Sequence, residues 1–301
     1  VTGDAVSENH PGLVECTFDI GEAPAPATVR LNYAEGPANG PPLVLLHGLG
    51  RRWQVFLPLI PALSLRWHIF APDFRGHGKS SHVTRGYHES QYSDDVAQFL
   101  RDRVGAPAVV FGHSLGGAIA MSVGSHHPEL VRALILGDNR IVIRRLHHPM
   151  YTALFSGLRE LARTDGSIEE IAAGIGRIML PVHGTDDSIA IRNLPGNDEA
   201  YLLAWARCVQ QADPDTYDMI LDGSSLEGWD GEVVLRGITC PTLLLQATTE
   251  LGGLMSDADV ALAAQLLPHH THVKFRNLGH ALFIQQPEPV LRAVTNFLES
   301  L

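Results

Sequence analysis

The chain of 301 residues is short of positive charge, short of cysteine and free of long apolar runs, and each shortage removes a class of function. Lysine and arginine number 22 against 33 aspartates and glutamates, giving a formal charge of −11. That is the wrong sign for a protein whose main ligand is a phosphate backbone, so nucleic acid is not an expected partner. The 16 histidines make the balance sensitive to pH, because an unperturbed imidazole gains a proton near about pH 6.5. Three cysteines, Cys16, Cys208 and Cys240, are odd in number, far apart and never in a Cys-x-x-Cys pair. They offer neither a disulfide framework nor a zinc site and are expected to be buried free thiols. No stretch approaches the roughly 18 consecutive apolar residues of a membrane span, and Val1-Thr2-Gly3-Asp4 opens with neither the basic nor the apolar part of a signal peptide. The expectation is a soluble, cytoplasmic protein that does not engage membranes, with a valine at position 1 suggesting a trimmed N-terminus.

What remains is a folded globular composition, with 45% hydrophobic and 18% charged residues. Short β-branched and leucine-rich runs at 16–20, 27–33, 43–46, 68–71, 108–111, 133–136, 242–246 and 272–275 end in glycine- or proline-rich turns. From the third onward they lack polar alternation, as strands buried on both faces of a parallel sheet do. Helix-period segments at 92–103, 115–125, 259–267 and 289–298 separate several of them, which points to an α/β fold. The interval 141–236 breaks this rhythm with helix-like stretches at 151–162, 168–179 and 199–211 and no convincing strand. Its length of about 95 residues far exceeds an ordinary connection, so it is read as a helical cap inserted in a core made of 1–140 and 237–301. Turns rich in Pro, Gly and Ala fall at 22–26 and 35–42.

The strongest chemical signal is Gly112-His113-Ser114-Leu115-Gly116, set between the apolar run 108–111 and a helix-compatible segment. This is a nucleophile elbow in the strand-turn-helix context that gives the pattern meaning. So tight a turn requires small residues two before and two after the serine, which Gly112 and Gly116 supply. The N-terminus of the following helix adds free N–H groups and a positive dipole end for a developing oxyanion. A second signal, Leu46-His47-Gly48-Leu49-Gly50, follows the strand 43–46, and an N–H of Leu49 or Gly48 is expected to join that of Leu115 in an oxyanion hole. A third, Asp73-Phe74-Arg75-Gly76-His77-Gly78-Lys79-Ser80, reads better as a loop fixed by an Asp/Arg pair and two glycines than as chemistry.

In the content and order of these motifs, residues 27–298 resemble the α/β-hydrolase superfamily. The resemblance implies an eight-stranded, mostly parallel sheet, a helical cap after the sixth strand, and a catalytic order of nucleophile, acid, histidine. Asn277-Leu278-Gly279-His280 follows the last strand where the family carries its histidine, so Ser114 and His280 are the expected nucleophile and base. For the acid, Glu250 stands in the loop after the seventh strand, where the family usually places an aspartate, and Asp138 after the sixth strand is the alternative. Either carboxylate holds the imidazole tautomer and stabilises the imidazolium.

These parts imply a serine hydrolase working through an acyl-enzyme, with no cofactor. No metal is expected either, since no H-E-x-x-H pattern occurs and the histidine pairs at 126–127, 147–148 and 269–270 are adjacent and point apart. Trp205, Tyr201, Met150, Tyr151, Phe155, Ile175 and Met179 give the cap enough apolar surface to enclose a hydrophobic acyl or aryl group. Trp205-Ala206-Arg207 resembles a Trp-Ala-Arg in the cap of fungal lactonases that open the zearalenone macrocycle, where the tryptophan lies over the substrate and the acid follows the sixth strand. The expected partner is therefore a small-molecule hydrophobic ester or lactone, with Trp205 weighed as either a substrate contact or packing; oligomeric state is left open. A C–C bond hydrolase of aromatic ring-cleavage products is the alternative reaction, for which Arg140, Arg144 and Arg207 are candidate carboxylate binders. A non-catalytic ligand-binding module on the same fold is the alternative outside enzymology.

Overall fold

The computed structural model describes residues 4–5, 12–21, 29–142, 149–182 and 185–301. The expected turn at 22–26, the first two residues of the expected strand 27–33, Arg144 and the histidine pair at 147–148 lie outside the described residues. A sheet of nine strands forms the centre, built from β1 (Asp4–Ala5), β2 (Val14–Ile20), β3 (Val29–Glu35), β4 (Pro42–Leu46), β5 (His68–Pro72), β6 (Ala108–His113), β7 (Val131–Gly137), β10 (Thr242–Gln246) and β11 (His270–Lys274). Their spatial order is β1-β2-β3-β5-β4-β6-β7-β10-β11. The pairings from β5 through β11 are parallel, and β1, β2 and β3 are joined antiparallel at one edge. The eight expected strands are thus all present, and the ninth is the two-residue edge piece β1. Besides these, β8 (Met179–Pro181) and β9 (Ser188–Ala190) form a separate antiparallel pair.

The apolar runs are continuous because the sheet is covered on both sides. Along the central strands alternate side chains enter opposite cores: Val110, Leu134, Leu136 and Leu244 join one, while Val109, Phe111, Ile135 and Leu245 join the other. The helices are α1 (Ile60–Leu63), α2 (Glu89–Gln98), α3 (Leu115–His126), α4 (Pro149–Ala162), α5 (Ile168–Arg177), α6 (Glu199–Gln210), α7 (Pro214–Leu221), α8 (Gly231–Gly237), α9 (Asp257–Leu266) and α10 (Pro287–Glu299). Residues of α2, α3, α8 and α9 close the first core; those of α1 and α10 close the second. The outer strand β11 is mostly exposed and polar, as an edge without a partner on one side requires.

Between β7 and β10 the chain leaves the sheet and builds a third hydrophobic cluster around Leu158, Ile175, Trp205, Val209 and Tyr217. Side-chain caps start its helices, with Ser167 and Glu170 forming a reciprocal capping box on α5 and Asp198 accepting from the Tyr201 N–H on α6. One expectation is corrected: this interval does contain strand, the β8–β9 pair. Two strands of three residues, one ending in Pro181, are too short to show a period of two. The cluster is anchored to loops beyond β4 and β5, through Arg51 Nη2 to Tyr201 Oη (2.9 Å), Arg52 Nη1 to Gln211 Oε1 (2.9 Å) and the Asp213 N–H to the Gly76 carbonyl (2.9 Å). It therefore stands at the carboxyl end of the sheet. Among the described residues, no helix is long and apolar enough to cross a membrane.

The Asp73–Ser80 segment is structural, though not through the Asp/Arg pairing expected. Asp73 accepts from the N–H groups of Trp53 (2.8 Å) and Lys79 (3.2 Å) and from Asn32 Nδ2 (2.8 Å). Arg75 turns instead to Asp95 on α2, with a bidentate contact of 2.7 and 2.6 Å that is almost fully buried. Removing one member of such a pair strands the other in a low-dielectric interior. Asp95→Ala is expected to lower unfolding stability by about 3–5 kcal/mol in urea titrations, and Arg75→Met combined with Asp95→Leu to recover most of it. Equal losses in the single and double variants would show that the pair's burial is not what matters.

Candidate active site

Strand β6 ends at His113, and α3 begins at Leu115, so a single residue makes the turn between them. Ser114 makes it at φ 56° and ψ −119°, a left-handed region that costs a non-glycine residue roughly 1–3 kcal/mol. The flanking glycines permit it. A Cβ on Gly112 would lie 2.0 Å from the Gly116 carbonyl oxygen, and one on Gly116 would lie 2.3 Å from that of Leu46. The Ser114 N–H continues the sheet ladder onto the Gly137 carbonyl at 2.9 Å, which fixes the elbow against β7. Among the described residues the Ser114 hydroxyl has no hydrogen-bond partner.

Directly beyond β7, Asp138 also takes a left-handed conformation (φ 45°) and is fully buried. His280 meets this residue: its Nδ1 lies 2.7 Å from Asp138 Oδ2. The carboxylate further accepts the N–H groups of Leu254 (2.8 Å), Ala247 (3.0 Å) and Met255 (3.2 Å). Burial by itself would raise its pKa, but His280 and the Leu254 and Ala247 N–H groups outweigh burial and hold it below the ordinary aspartate value. The expectation that Glu250 partners the histidine is corrected. Glu250 sits on the exposed turn Thr249–Leu251, with Oε2 accepting from Thr249 Oγ1 at 3.2 Å. What the loop after β10 gives the histidine loop is backbone, through the Thr248 N–H to the Leu278 carbonyl at 2.8 Å.

The proposed oxyanion donors fall beside the serine. A Cβ on Gly48 would lie 3.1 Å from Ser114 Cβ, and neither the Leu49 nor the Leu115 N–H has an acceptor among the described residues. Two buried histidines that sequence reasoning left without a role shape this turn. His47 donates Nδ1–H to the Gly48 carbonyl (2.8 Å) and accepts the Phe74 N–H on Nε2 (3.0 Å). His77 donates Nδ1–H to the Arg75 carbonyl (3.0 Å) and accepts the Gly50 N–H on Nε2 (3.0 Å). A third, His113, donates Nε2–H to the His280 carbonyl (2.8 Å) and stacks on the His280 ring, centroids 4.8 Å apart. These patterns require neutral imidazoles at His47 and His77, since a protonated ring has no lone pair for the accepted N–H. The only signal for them in the sequence is their adjacency to glycine in the motifs.

Ser114, His280, Gly48, Leu49 and Leu115 line one cavity of about 1360 Å³, and its far wall comes from the helical insertion. Of the expected cap residues, Trp205, Tyr201, Met150, Tyr151 and Phe155 line it, whereas Ile175 is packed in the third cluster and Met179 is exposed. Trp205 belongs to both the third cluster and the cavity wall. Arg140 lines the cavity and Arg207 does not, while Arg51, which sequence reasoning passed over, does. Cys16 and Cys208 are buried and Cys240 half-buried.

The neutral histidines set a pH dependence of stability. Burial, reinforced by His77, holds His47 well below the ordinary histidine value; burial brings His77 to about 4, and burial with the nearby His280 brings His113 to about 3. In the unfolded chain the same groups titrate near about 6.5. Between those values the unfolded state binds more protons, so stability is full above about pH 6.5 and is lost as pH falls toward 3–4. Asp73, pushed up to about 6 by burial, and Glu89 and Asp95, also raised by burial, work in the opposite sense as the pH falls through the carboxylate range. Differential scanning calorimetry should show Tm falling steadily from pH 7 to pH 5. A flat or rising Tm over that range would contradict neutral burial of these rings.

A family model described as the alpha/beta hydrolase fold matches residues 41–165. The chain is 27% identical over 277 residues to a 2-(acetamidomethylene)succinate hydrolase of Mesorhizobium japonicum, covering 90% of this chain and 92% of that one. It is also 27% identical over 263 residues to a pimeloyl-[acyl-carrier protein] methyl ester esterase of Nitrosomonas europaea, covering 85% and 95%. Among solved structures, an E-2-(acetamidomethylene)succinate hydrolase superposes with a TM-score of 0.73 at 24% identity, over 95% of this chain and 99% of that one, a likeness of fold.

Proposed function

We propose that the chain is a serine hydrolase of the α/β-hydrolase superfamily that cleaves carboxylic esters through an acyl-enzyme, with Ser114 as nucleophile, His280 as base and Asp138 as the acid; the match of residues 41–165 to the alpha/beta hydrolase family model supports this reading. The observation that carries this reading is the 2.7 Å contact from His280 Nδ1 to a buried Asp138, set beside a strained Ser114. With Nδ1–H committed to the carboxylate, Nε2 of His280 keeps its lone pair for the Ser114 proton. As Ser114 Oγ bonds to the acyl carbon, charge collects on the carbonyl oxygen, where the Leu49 and Leu115 N–H groups, or that of Gly48, are free to receive it. The imidazolium, stabilised by Asp138, returns the proton to the leaving alcohol. Water then attacks the acyl-enzyme by the same route and the acid departs. No step calls for a metal or an organic cofactor.

We take residues 141–236 as a cap domain over this site, although Val234 and Leu235 near its end pack in the main core. A cavity of about 1360 Å³ walled by aromatic residues suits a bulky, largely hydrophobic ester better than a small one. A lactone is the sharpest version, because the acid after β7 (the sixth of the expected strands) and Trp205 on the wall both agree with the resemblance to the zearalenone-opening enzymes. The named activity of the esterase relative supports the ester reading. The test is labelling and kinetics with an aryl ester and a lactone. A fluorophosphonate probe should modify Ser114 alone, Asp138→Asn should reduce kcat by roughly 10³–10⁴-fold, and Glu250→Gln should stay within about threefold of wild type. Labelling at another serine, or a larger loss from Glu250→Gln than from Asp138→Asn, would overturn the assignment.

A further inference from the structure

Arg51 ends the turn whose Gly48 lies against Ser114, and its own N–H closes that turn on the Gly48 carbonyl at 3.2 Å. A turn of this kind keeps its end residues within about 7 Å of each other, so the Arg51 side chain originates close to the reacting centre. The guanidinium sits over the indole of Trp205, its Cζ 3.9 Å from the ring centroid, and donates Nη2–H to Tyr201 Oη at 2.9 Å. Arg51, Trp205 and Tyr201 all line the catalytic cavity. Stacking occupies the face of a guanidinium and leaves N–H groups on its edge, the fork that matches a carboxylate.

Three further facts say what is missing from this group. Arg51 is half-buried, yet no carboxylate of the described residues lies within ion-pair distance of it. The acidic residues on the same cavity wall are engaged elsewhere: Asp259 with the Val142 and Ser256 N–H groups, Glu232 with Arg236, and Glu250 with Thr249. The indole Nε1–H of Trp205 is buried without any acceptor, and indole is a donor only. Arg51 supplies further donors and Tyr201 a hydroxyl hydrogen, so the cluster holds several donors and no anion. In a protein of net charge −11, it is a local positive site inside the reaction cavity.

We propose that Arg51, with Trp205 and Tyr201, is a carboxylate-binding subsite, and that the natural substrate is an ester carrying a second, free carboxylate away from the scissile bond. This rests on the serine-hydrolase reading and narrows its substrate class from neutral hydrophobic esters to amphiphilic ester-acids. The carboxylate accepts from the guanidinium edge and supplies the counter-charge that a half-buried cation lacks, while the hydrophobic chain runs along the aromatic wall. Arg51 in this account is a specificity residue; the bond-making steps remain with Ser114 and His280.

The test compares matched esters that differ in one charge. One pair places the carboxylate on the acyl side, mono-4-nitrophenyl glutarate against 4-nitrophenyl valerate. The other places it on the alcohol side, 3-carboxyphenyl butyrate against phenyl butyrate. In at least one pair wild type should favour the anionic ester in kcat/KM, and Arg51→Met should reduce that preference by about 10- to 100-fold, the range expected for a charge-assisted contact. The loss should lie in KM, and Arg51→Lys, which keeps the charge without the fork, should fall between. A second readout needs no variant: monomethyl glutarate, which keeps a free carboxylate, should compete for wild type more strongly than dimethyl glutarate, which has none. Fluorophosphonate labelling of Ser114 is run in parallel. A wild-type preference for the neutral member of both pairs, or a preference that survives Arg51→Met, overturns the subsite while Ser114 labelling leaves the hydrolase reading standing. Absence of labelling removes the hydrolase reading itself.

Discussion

The site turns on a carboxylate that is entirely withdrawn from water and still kept ionised. Asp138 is paid for by four donors, His280 Nδ1–H and the N–H groups of Ala247, Leu254 and Met255, drawn from two separate stretches of chain. Without them burial would push the group toward its neutral form, which could no longer hold the imidazole by charge. Because the backbone donors come from the segment after β10, the acid also fastens that segment to the end of β7. The same segment holds the histidine loop through the Thr248 N–H and the Leu278 carbonyl. One buried charge thus orders the three loops among which the histidine sits.

Around this centre, imidazoles act as braces. His47 and His77 each donate from one ring nitrogen and accept a backbone N–H on the other, which fixes the turn after β4 in a shape that leaves the Leu49 N–H free. His113 carries out a similar task for the loop of His280. All three sit in the dry interior, where the uncharged ring is the cheaper form. The helical insertion then supplies part of the cavity wall, and Arg51 bridges the two parts, its guanidinium over Trp205 and its backbone on the turn beside Ser114.

The fold and the tight turn at Ser114 were legible because both depend on local pattern. Strands such as β6 and β7 are apolar on both faces, and the residues at 112 and 116 must be glycine for the turn at Ser114 to close. His280 was legible from its place after the last strand. The carboxylate partner of His280 was legible only as a choice between Glu250 and Asp138, because chain order says which loops carry a carboxylate but not whether the side chain or the backbone of a loop reaches the histidine. Asp138 becomes the partner through sheet order, with β7 lying between β6 and β10, a fact of pairing that no short window contains. The β8–β9 pair escaped for the opposite reason, being too short for a period to form. Arg51 escaped because its meaning comes from Trp205, about 150 residues away in sequence.

The most direct measurement is proton NMR of the hydrogen bond between His280 and Asp138. The account predicts a far-downfield Nδ1–H resonance in wild type that persists in Glu250→Gln and disappears in Asp138→Ala and His280→Gln. Loss of that resonance in Glu250→Gln, or its survival in Asp138→Ala, would contradict the assignment of Asp138 as the residue that holds the histidine.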